Sequence, residues 1–541
     1  MLLDPTTGIY TAGKLGGGVH CTAHDPYHGI DRKHRSRYVV AGYPWFLHAA
    51  VGIDQPIVFA GCLCNLTAAV TGRIAIETGS PKPDAIRALK RVVRKMVKPY
   101  AKRVPLTPQM ARARAKNPRL LAKLNRGLAL REKQQLSAFS HSHKTFIKTE
   151  GGKPKGTFDD FVRDILGVKA PRLIVEVNEM YNAIGALNYP PIEDVLKNMH
   201  GKADGTDVLP PEACVMKGKN PGQRGSAFFR KSGRFKNPTY YCLDGKQCDV
   251  HIREELLKVQ HLFDHSINPD PEFKELSRRM RGKVRFKGDG KFRCTSPALR
   301  MTGSYDTGGG NTLIHLAVLA LALEGLKWDA LVDGDDMVVI VEDGVDLEAL
   351  LRPVCDSLAL VFTYDVVTKD PREVEFCRAH PLMLADGPMM VRAPKRTLMN
   401  FFMSTLDLPG SQLESYLKTV SDGEMRAFAG VPILGPLFAK IRGDLNNVPD
   451  YKGDNIEDRK RQLWESTKHR LDVGITEEAR DDFGVAFDIP KEVQMATELL
   501  ISTQEFRWGK PKRILNPYST TRAGAWSFSP SIDFVLARPC F

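Results

Sequence analysis

Two adjacent carboxylates, Asp335 and Asp336, follow Gly334 in the run LVDGDDMVVIVE. Apolar, β-branched residues flank them: Leu331 and Val332 lead in, Met337 to Val341 lead out. That pattern predicts a buried β-hairpin with both carboxylates at its turn. Oxygen donors at the tip of a rigid element suit a hard divalent cation that also touches phosphate oxygens. The same tripeptide also serves in ordinary hairpin turns, because Gly and Asp are turn residues. Other carboxylates must decide between a surface turn and a metal site.

One lies upstream in YYCLDGKQCDVH. Tyr240 to Leu243 is strand-like, Asp244 falls at its end, and Asp249 follows where a helix begins. Asp249 reads either as a helix N-cap or as a group facing a ligand. Asp244 is expected to face Asp335 across a sheet, with Asp336 only partly committed to metal. Three carboxylates at one point repel unless a cation neutralises them. A pair of Mg²⁺ ions would lower the pKa of an attacking hydroxyl and stabilise an in-line phosphoryl transition state.

Between these sites lies RMTGSYDTGGGNTLIHLAVL. Gly303, Gly308, Gly309 and Gly310 form a loop whose backbone can approach a ligand closely. Thr307 and Asn311 share a face at the mouth of an apolar helix. Neither a P-loop nor a dinucleotide-binding spacing is present.

The elements that must position these groups are only partly regular in pattern. The predicted helices are Glu254 to Leu262, Thr312 to Leu326, Met425 to Ile441, Ile456 to His469 and Glu492 to Gln504. Arg172 to Tyr181 reads as a strand entering a helix. Residues 1 to about 40 look loosely structured, and Val39 to Ile76 suggests a small β-containing unit. Between Asp84 and Glu132 there is no acidic residue, while Arg91, Arg94, Lys95 and many other cations fill the stretch. Helically spaced apolar residues there allow one face to pack and the other to meet phosphates, or simply water. The formal net charge of +15 favours a polyanionic partner. Ten scattered cysteines without a C-x-x-C pair exclude zinc-ribbon spacing and fit a reducing, intracellular setting. The start MLLDPTTGIY does not read as a signal peptide, and Ile57 to Val70 is expected to be too short and too polar to span a membrane.

The order of these parts resembles palm motifs A, B and C of viral RNA-dependent RNA polymerases, the tombusvirus-like group in particular. LDGKQCDVH is similar to motif A, MTGSYDTGGGN to motif B, and the Gly-Asp-Asp hairpin to motif C. FIKTE followed by PRLI resembles motif F, VMKGKNPGQRG the segment ahead of motif A, and VEFCRAHPL motif E. The resemblance covers roughly residues 105–440.

It implies an α+β right-hand fold. Residues 1–84 would be an N-terminal extension, 85–239 fingers with an RNA-facing basic segment, 240–400 a palm with a fingers return within 265–300, and 401–541 a helical thumb and tail. It further implies Mg²⁺, with Mn²⁺ able to substitute, held by Asp244, Asp335 and Asp336. Asp249, Gly303, Thr307 and Asn311 would bind substrate, with Asp249, Thr307 and Asn311 reading the ribose 2′-OH. Lys148 and Arg172 would neutralise the triphosphate, and Lys369 would protonate the leaving pyrophosphate unless it is merely a solvated loop lysine. Arg91, Arg94 and Lys95 would touch RNA. The implied partners are a single-stranded RNA template, product RNA, NTPs, and other viral replication proteins that link the chain to host membranes. The implied location is the host cytoplasm, in a membrane-associated replication complex.

The chain departs from the family pattern at Cys248, Thr302 and Asp306, where Phe, Ser and Asn are usual. At Val175-Glu176 an expected arginine is missing, which weakens phosphate binding unless Lys169 or Arg131 substitutes. Two alternatives stand beside the polymerase reading. One is a non-catalytic RNA-binding replication or packaging protein on a decayed polymerase fold. The other is a reverse transcriptase, disfavoured by Gly334 and by the small residues of motif B.

Overall fold

In the computed structural model, the described residues are those of 2–515 apart from 4–8, 15–17, 25–36, 41–44, 53–56, 59–60, 62–65, 67–68, 116, 135, 137–141, 149–150, 153–171, 203–206, 289–291, 405–407, 409, 454–463 and 504–511. Along the chain, strands β1 (Ile9–Lys14) and β2 (His20–His24) precede helices α1 (Pro83–Val97) and α2 (Pro118–Lys133). Next come β3 (Ser142–Ile147), β4 (Leu173–Glu176) and the long helix α3 (Glu179–Asn198). Helix α4 (Pro221–Ser232) leads to β5 (Pro238–Gly245), the short α5 (Cys248–His251) and α6 (Glu254–Ile267). The hairpin β6 (Val284–Lys287) and β7 (Arg293–Ser296) is followed by α7 (Thr307–Ala322). Then come β8 (Trp328–Asp333), β9 (Asp336–Glu342), α8 (Leu347–Leu358), β10 (Phe362–Thr368) and the hairpin β11 (Ala379–Leu384) and β12 (Gly387–Arg392).

A four-stranded antiparallel sheet in the order β8-β9-β5-β10 holds the candidate site. Both of its faces are covered, so its strands read as continuous apolar runs rather than as alternation. Met337, Val339 and Val341 join a core shared with α7 and α8, whereas Val338 and Ile340 join a second core with Phe228, Tyr240 and Phe376. Helix α7 is buried almost all round, as expected for a helix apolar on every face.

A seven-stranded sheet runs Leu2–Leu3, β1, β2, β7, β6, β3, β4. The segment expected to be loose therefore supplies strands: His20, Cys21 and Thr22 pair with Thr295, Cys294 and Arg293. Arg37–Val40 likewise pairs with Met403–Ser404 and Lys512–Leu515. Beyond β12 the chain is helical, with Pro394–Phe402, Gly410–Ala427, Leu434–Asp444, Glu477–Phe487 and Lys491–Thr503 around a core of its own. The helix expected over Met425 to Ile441 is broken, because Gly430 takes φ +78° and Pro432 follows. Most of the helix expected from Ile456, and the aromatic tail, lie outside the described residues. Among the described residues, no helix is long and apolar enough to cross a membrane.

Candidate active site

The Gly334 turn is the shortest kind of hairpin. Asp333 and Asp336 close it as a pair, leaving Gly334 and Asp335 as its two turn residues. Gly334 takes φ +73° and Asp335 does not have a positive φ, the II′ pattern that matches strand twist and requires glycine first. Asp335 is exposed, and its carbonyl accepts the Gly245 N–H at 3.0 Å.

The register corrects one expectation. Asp336, not Asp335, lies directly opposite Asp244 across β9 and β5. Because side chains opposite one another share a face, the strand pair sets Asp244 beside Asp336 and leaves Asp335 on the turn above them. Burial, then the Asp335 and Asp244 charges, push the Asp336 carboxyl up to about 7. Among the described residues, no three carboxylate, imidazole or thiol groups already stand as a metal-holding cluster. The hard oxygen donors of Asp244, Asp335 and Asp336 nevertheless fit Mg²⁺ chemically.

Helix α7 holds the turn by its backbone, a feature the sequence reading missed. Thr312 Oγ1 accepts the Gly334 N–H at 2.8 Å and donates to the Gly308 carbonyl at 2.8 Å. His315 Nδ1 lies 2.8 Å from the Gly334 carbonyl. A carbonyl can only accept, so Nδ1 carries the proton. Burial pushes the His315 pKa down, so the ring is neutral and its Nε2 is free to face Cys248 Sγ at 3.5 Å. The only sequence signal for this clamp was helical spacing on an apolar stretch. Below the turn, Arg224 pairs with Asp333 and donates to the Met216 and Lys219 carbonyls, so the segment ahead of α4 grips the hairpin base.

Gly303 touches protein backbone. Its N–H donates to the Val175 carbonyl at 3.0 Å, and a Cβ there would meet that oxygen at 2.7 Å. Thr302 commits its hydroxyl to β4: Oγ1 accepts the Val175 N–H at 3.0 Å and donates to the Leu173 carbonyl at 3.2 Å. The glycines after Thr307 make room for protein groups rather than for a ligand, with Gly310 against Gln260 and Arg300. Thr307 spends its hydroxyl on the Met301 carbonyl at 2.6 Å. Asn311 is buried, yet among the described residues its Oδ1 has no hydrogen-bond partner.

Asp249 does not cap its helix; Gln247 occupies the cap and Asp249 lies inside α5. Burial raises its carboxyl pKa, opposed by the positive charges of Arg73 and Arg172. Arg73 comes from a single π-turn, Val70–Ile74, and lies outside every motif recognised in the sequence. Arg172 is exposed, and its carbonyl accepts the Lys148 N–H at 2.8 Å. Arg131, one suggested substitute for the missing arginine, is held by Glu272 at 2.8 Å, and Lys169 lies outside the described residues.

Two further sets of candidate residues lie apart from this site. Thr363 pairs with Asp244, but Thr368 pairs with Tyr240, so Lys369 sits at the opposite end of the sheet. There it is exposed and bonded to Asp343 at 2.7 Å, out of reach of any chemistry at Asp244. In the basic run, Arg91 and Lys95 turn to Glu324 at 3.9 and 2.8 Å. Glu324 lies past the C-terminal end of α7, roughly 20 Å along the helix from Asn311 at 1.5 Å per residue. Lys123, Arg126 and Arg114 pair with Glu176, Glu179 and Asp194. Much of this run is therefore structural ion pairing.

The chain belongs to the viral RNA-dependent RNA polymerase family, whose model matches residues 68–508. It is 27% identical over 348 residues to the RNA-directed RNA polymerase of Pothos latent virus (isolate Pigeonpea/India), covering 61% of this chain and 44% of that protein. It is 24% identical over 446 residues to that of Panicum mosaic virus (strain United States/Kansas 109S), covering 79% and 43%. It is 26% identical over 355 residues to that of Tomato bushy stunt virus (strain Cherry), covering 61% and 40%. The chain thus spans less than half the length of these relatives. The mixed α and β architecture with its antiparallel sheets accords with the right-hand fold of that family.

Proposed function

We propose that this chain synthesises RNA on an RNA template, joining nucleoside triphosphates by in-line transfer with release of pyrophosphate. The observation that carries the reading is the cross-strand pairing of Asp244 with Asp336 beside the Asp335 turn, in a member of this polymerase family. Asp244, Asp335 and Asp336 would hold Mg²⁺, or Mn²⁺ in its place. A divalent cation there would ease ionisation of the attacking 3′-hydroxyl and neutralise charge developing on phosphate. Arg172, with Lys148 opposite it across the strand pair and Arg73 acting with it on Asp249, would supply positive charge for a triphosphate. The unpartnered Asn311 Oδ1 can accept a bond from a ribose 2′-OH, the group that separates RNA from DNA. Thr307, already committed to the loop backbone, supports this group rather than touching the ribose. RNA template, product RNA and NTPs are the partners. Other viral replication proteins would bring the chain to host membranes in the cytoplasm.

The test is divalent-dependent incorporation of labelled ribonucleotide on a single-stranded RNA template. Incorporation that vanishes in Asp244→Ala and Asp335→Ala supports the reading. Protein that binds RNA but incorporates nothing, or activity indifferent to Asp335→Ala, defeats it.

A further inference from the structure

We infer that a cationic cleft between α1 and α6 is a second phosphate-binding site, separate from the candidate active site. The cleft has a volume of about 440 Å³, the size of a small-ligand pocket. Lys90 and Arg94, one turn apart on α1, form one wall. Lys258, His261 and His265 form the other from one face of α6. Arg281, at the C-terminal cap of the helix Pro271–Met280, closes the end.

The charges on the two sides of α1 differ. Arg91 and Lys95 face Glu324, which offsets one of their two charges. Among the described residues, no carboxylate pairs with Lys90, Arg94 or Arg281, and only Lys258 has acidic partners, Glu254 and Glu255. Structural ion pairing, which accounts for much of the basic run, therefore does not account for this cleft. A second observation points inward. His261 is only 2% exposed and lines the cleft, and among the described residues its ring Nδ1 has no hydrogen-bond partner. Unpaired buried polar atoms are uncommon and mark an absent partner. The positive field is felt locally, since burial and the charges of Lys274 and Arg281 push His265 down to about 4.

The complementary ligand is a phosphate ester. Several cations without partners, a nucleotide-sized space and neutral imidazoles able to donate from one nitrogen fit phosphate oxygens. The phosphates come either from the backbone of single-stranded RNA or from a free polyphosphate such as ATP or pyrophosphate. The inference does not depend on the polymerase reading, since it concerns binding alone.

The experiment uses the full chain and compares two charge-matched double variants, Arg94→Ala/Arg281→Ala and Arg91→Ala/Lys95→Ala. Affinity for a labelled single-stranded RNA is measured across a salt series, with thermal melting to verify folding. Loss of the cleft arginines is expected to weaken binding several-fold and flatten the log–log salt slope by about 1. Loss of the Glu324-bound pair is expected to do markedly less. If RNA binding is equal in wild type and the cleft variant, the same comparison with ATP and with pyrophosphate, read by calorimetry, decides for the free source. Equal effects of the two double variants, or binding of RNA, ATP and pyrophosphate all unchanged in the cleft variant, overturn the inference. Asp335→Ala, which would abolish incorporation, is expected to leave this binding intact, so the two readings fail separately.

Discussion

Thr312→Val tests whether helix α7 sets the Gly334 turn and, on the proposed reading, its catalysis. The change keeps shape and removes one hydroxyl, which accepts the Gly334 N–H and donates to the Gly308 carbonyl at 2.8 Å each. Gly334 is buried, so water cannot replace the lost acceptor. Leaving a buried donor unpaired costs about 1–3 kcal/mol. The His315 bond to the Gly334 carbonyl remains, so the turn is expected to pivot about that contact rather than unfold. A displacement on the order of 1 Å at reacting groups can cost about 100-fold in rate. We therefore expect kcat for incorporation to fall about 10- to 100-fold, with KM for NTP and RNA affinity nearly unchanged. Thr312→Ser, which restores the hydroxyl, should recover most of the loss. The assay is steady-state incorporation alongside thermal melting of the same preparations. If Thr312→Val melts earlier by the expected margin yet turns over like wild type, the hairpin sets its own geometry and the clamp has no catalytic role.

Other outcomes follow from the same geometry. Gly303→Ala would drive a Cβ to 2.7 Å from the Val175 oxygen and 2.9 Å from the Glu176 Cα. Because the neighbours are backbone, a stability loss of about 1–3 kcal/mol in denaturant melts is expected, and a neutral result would mean that the loop and β4 can part freely. Asp336, ordinarily near 3.8, is held at about 7, so the folded metal-free protein keeps a proton that the unfolded chain loses. Its stability should then fall as pH rises from about 4 to about 7, while Mg²⁺-induced stabilisation grows over the same range. A Mg²⁺ shift in melting temperature that is equal at both ends of that range, or unaffected by Asp336→Asn, would contradict this. Lys369→Ala should leave incorporation unchanged and stability within about 0.5 kcal/mol, and a large kcat loss would restore it as a proton donor. Asp249→Ala and Asn311→Asp should relax rNTP over dNTP preference, and unchanged selectivity in both would remove them from ribose recognition.

What was legible in the sequence and what was not divide along physical lines. The hairpin, the strand before Asp244 and the helix after the glycine loop each follow from local pattern and turn chemistry, and each is found near its expected place. The pairing across the sheet does not. Shifting the register by one residue exchanges Asp335 for Asp336 opposite Asp244, and nothing local to either strand sets that shift. Lys369 was misplaced for a similar reason. It is close to the motifs in sequence, but an antiparallel strand carries it to the far end of the sheet. Arg73 was invisible because its part depends on a segment outside every motif folding onto α5. The basic run misled in the other direction, since its acidic partners, Glu176, Glu179, Asp194 and Glu324, are distant in sequence.

The departures from family pattern gain a physical reading here. Thr302 and Gly303 fasten the loop to β4, while Asp306 is buried and accepts bonds from Arg300, Gln260 and Ser304. The loop is thus held from two sides before α7 begins. From that fixed start, Asn311 presents an unpartnered oxygen, and the next residue, Thr312, together with His315 one turn on, grips Gly334. On the proposed reading, ribose recognition and placement of the three carboxylates would be properties of one rigid helix, supplied by separate side chains. A defect at Asn311 should alter sugar choice without changing metal affinity. A defect at Thr312 should change how activity depends on Mg²⁺ without changing sugar choice. A single substitution that moved both together would show that the helix itself shifts, and that the loop behind it is not the fixed anchor that its bonds to β4 and Arg300 indicate.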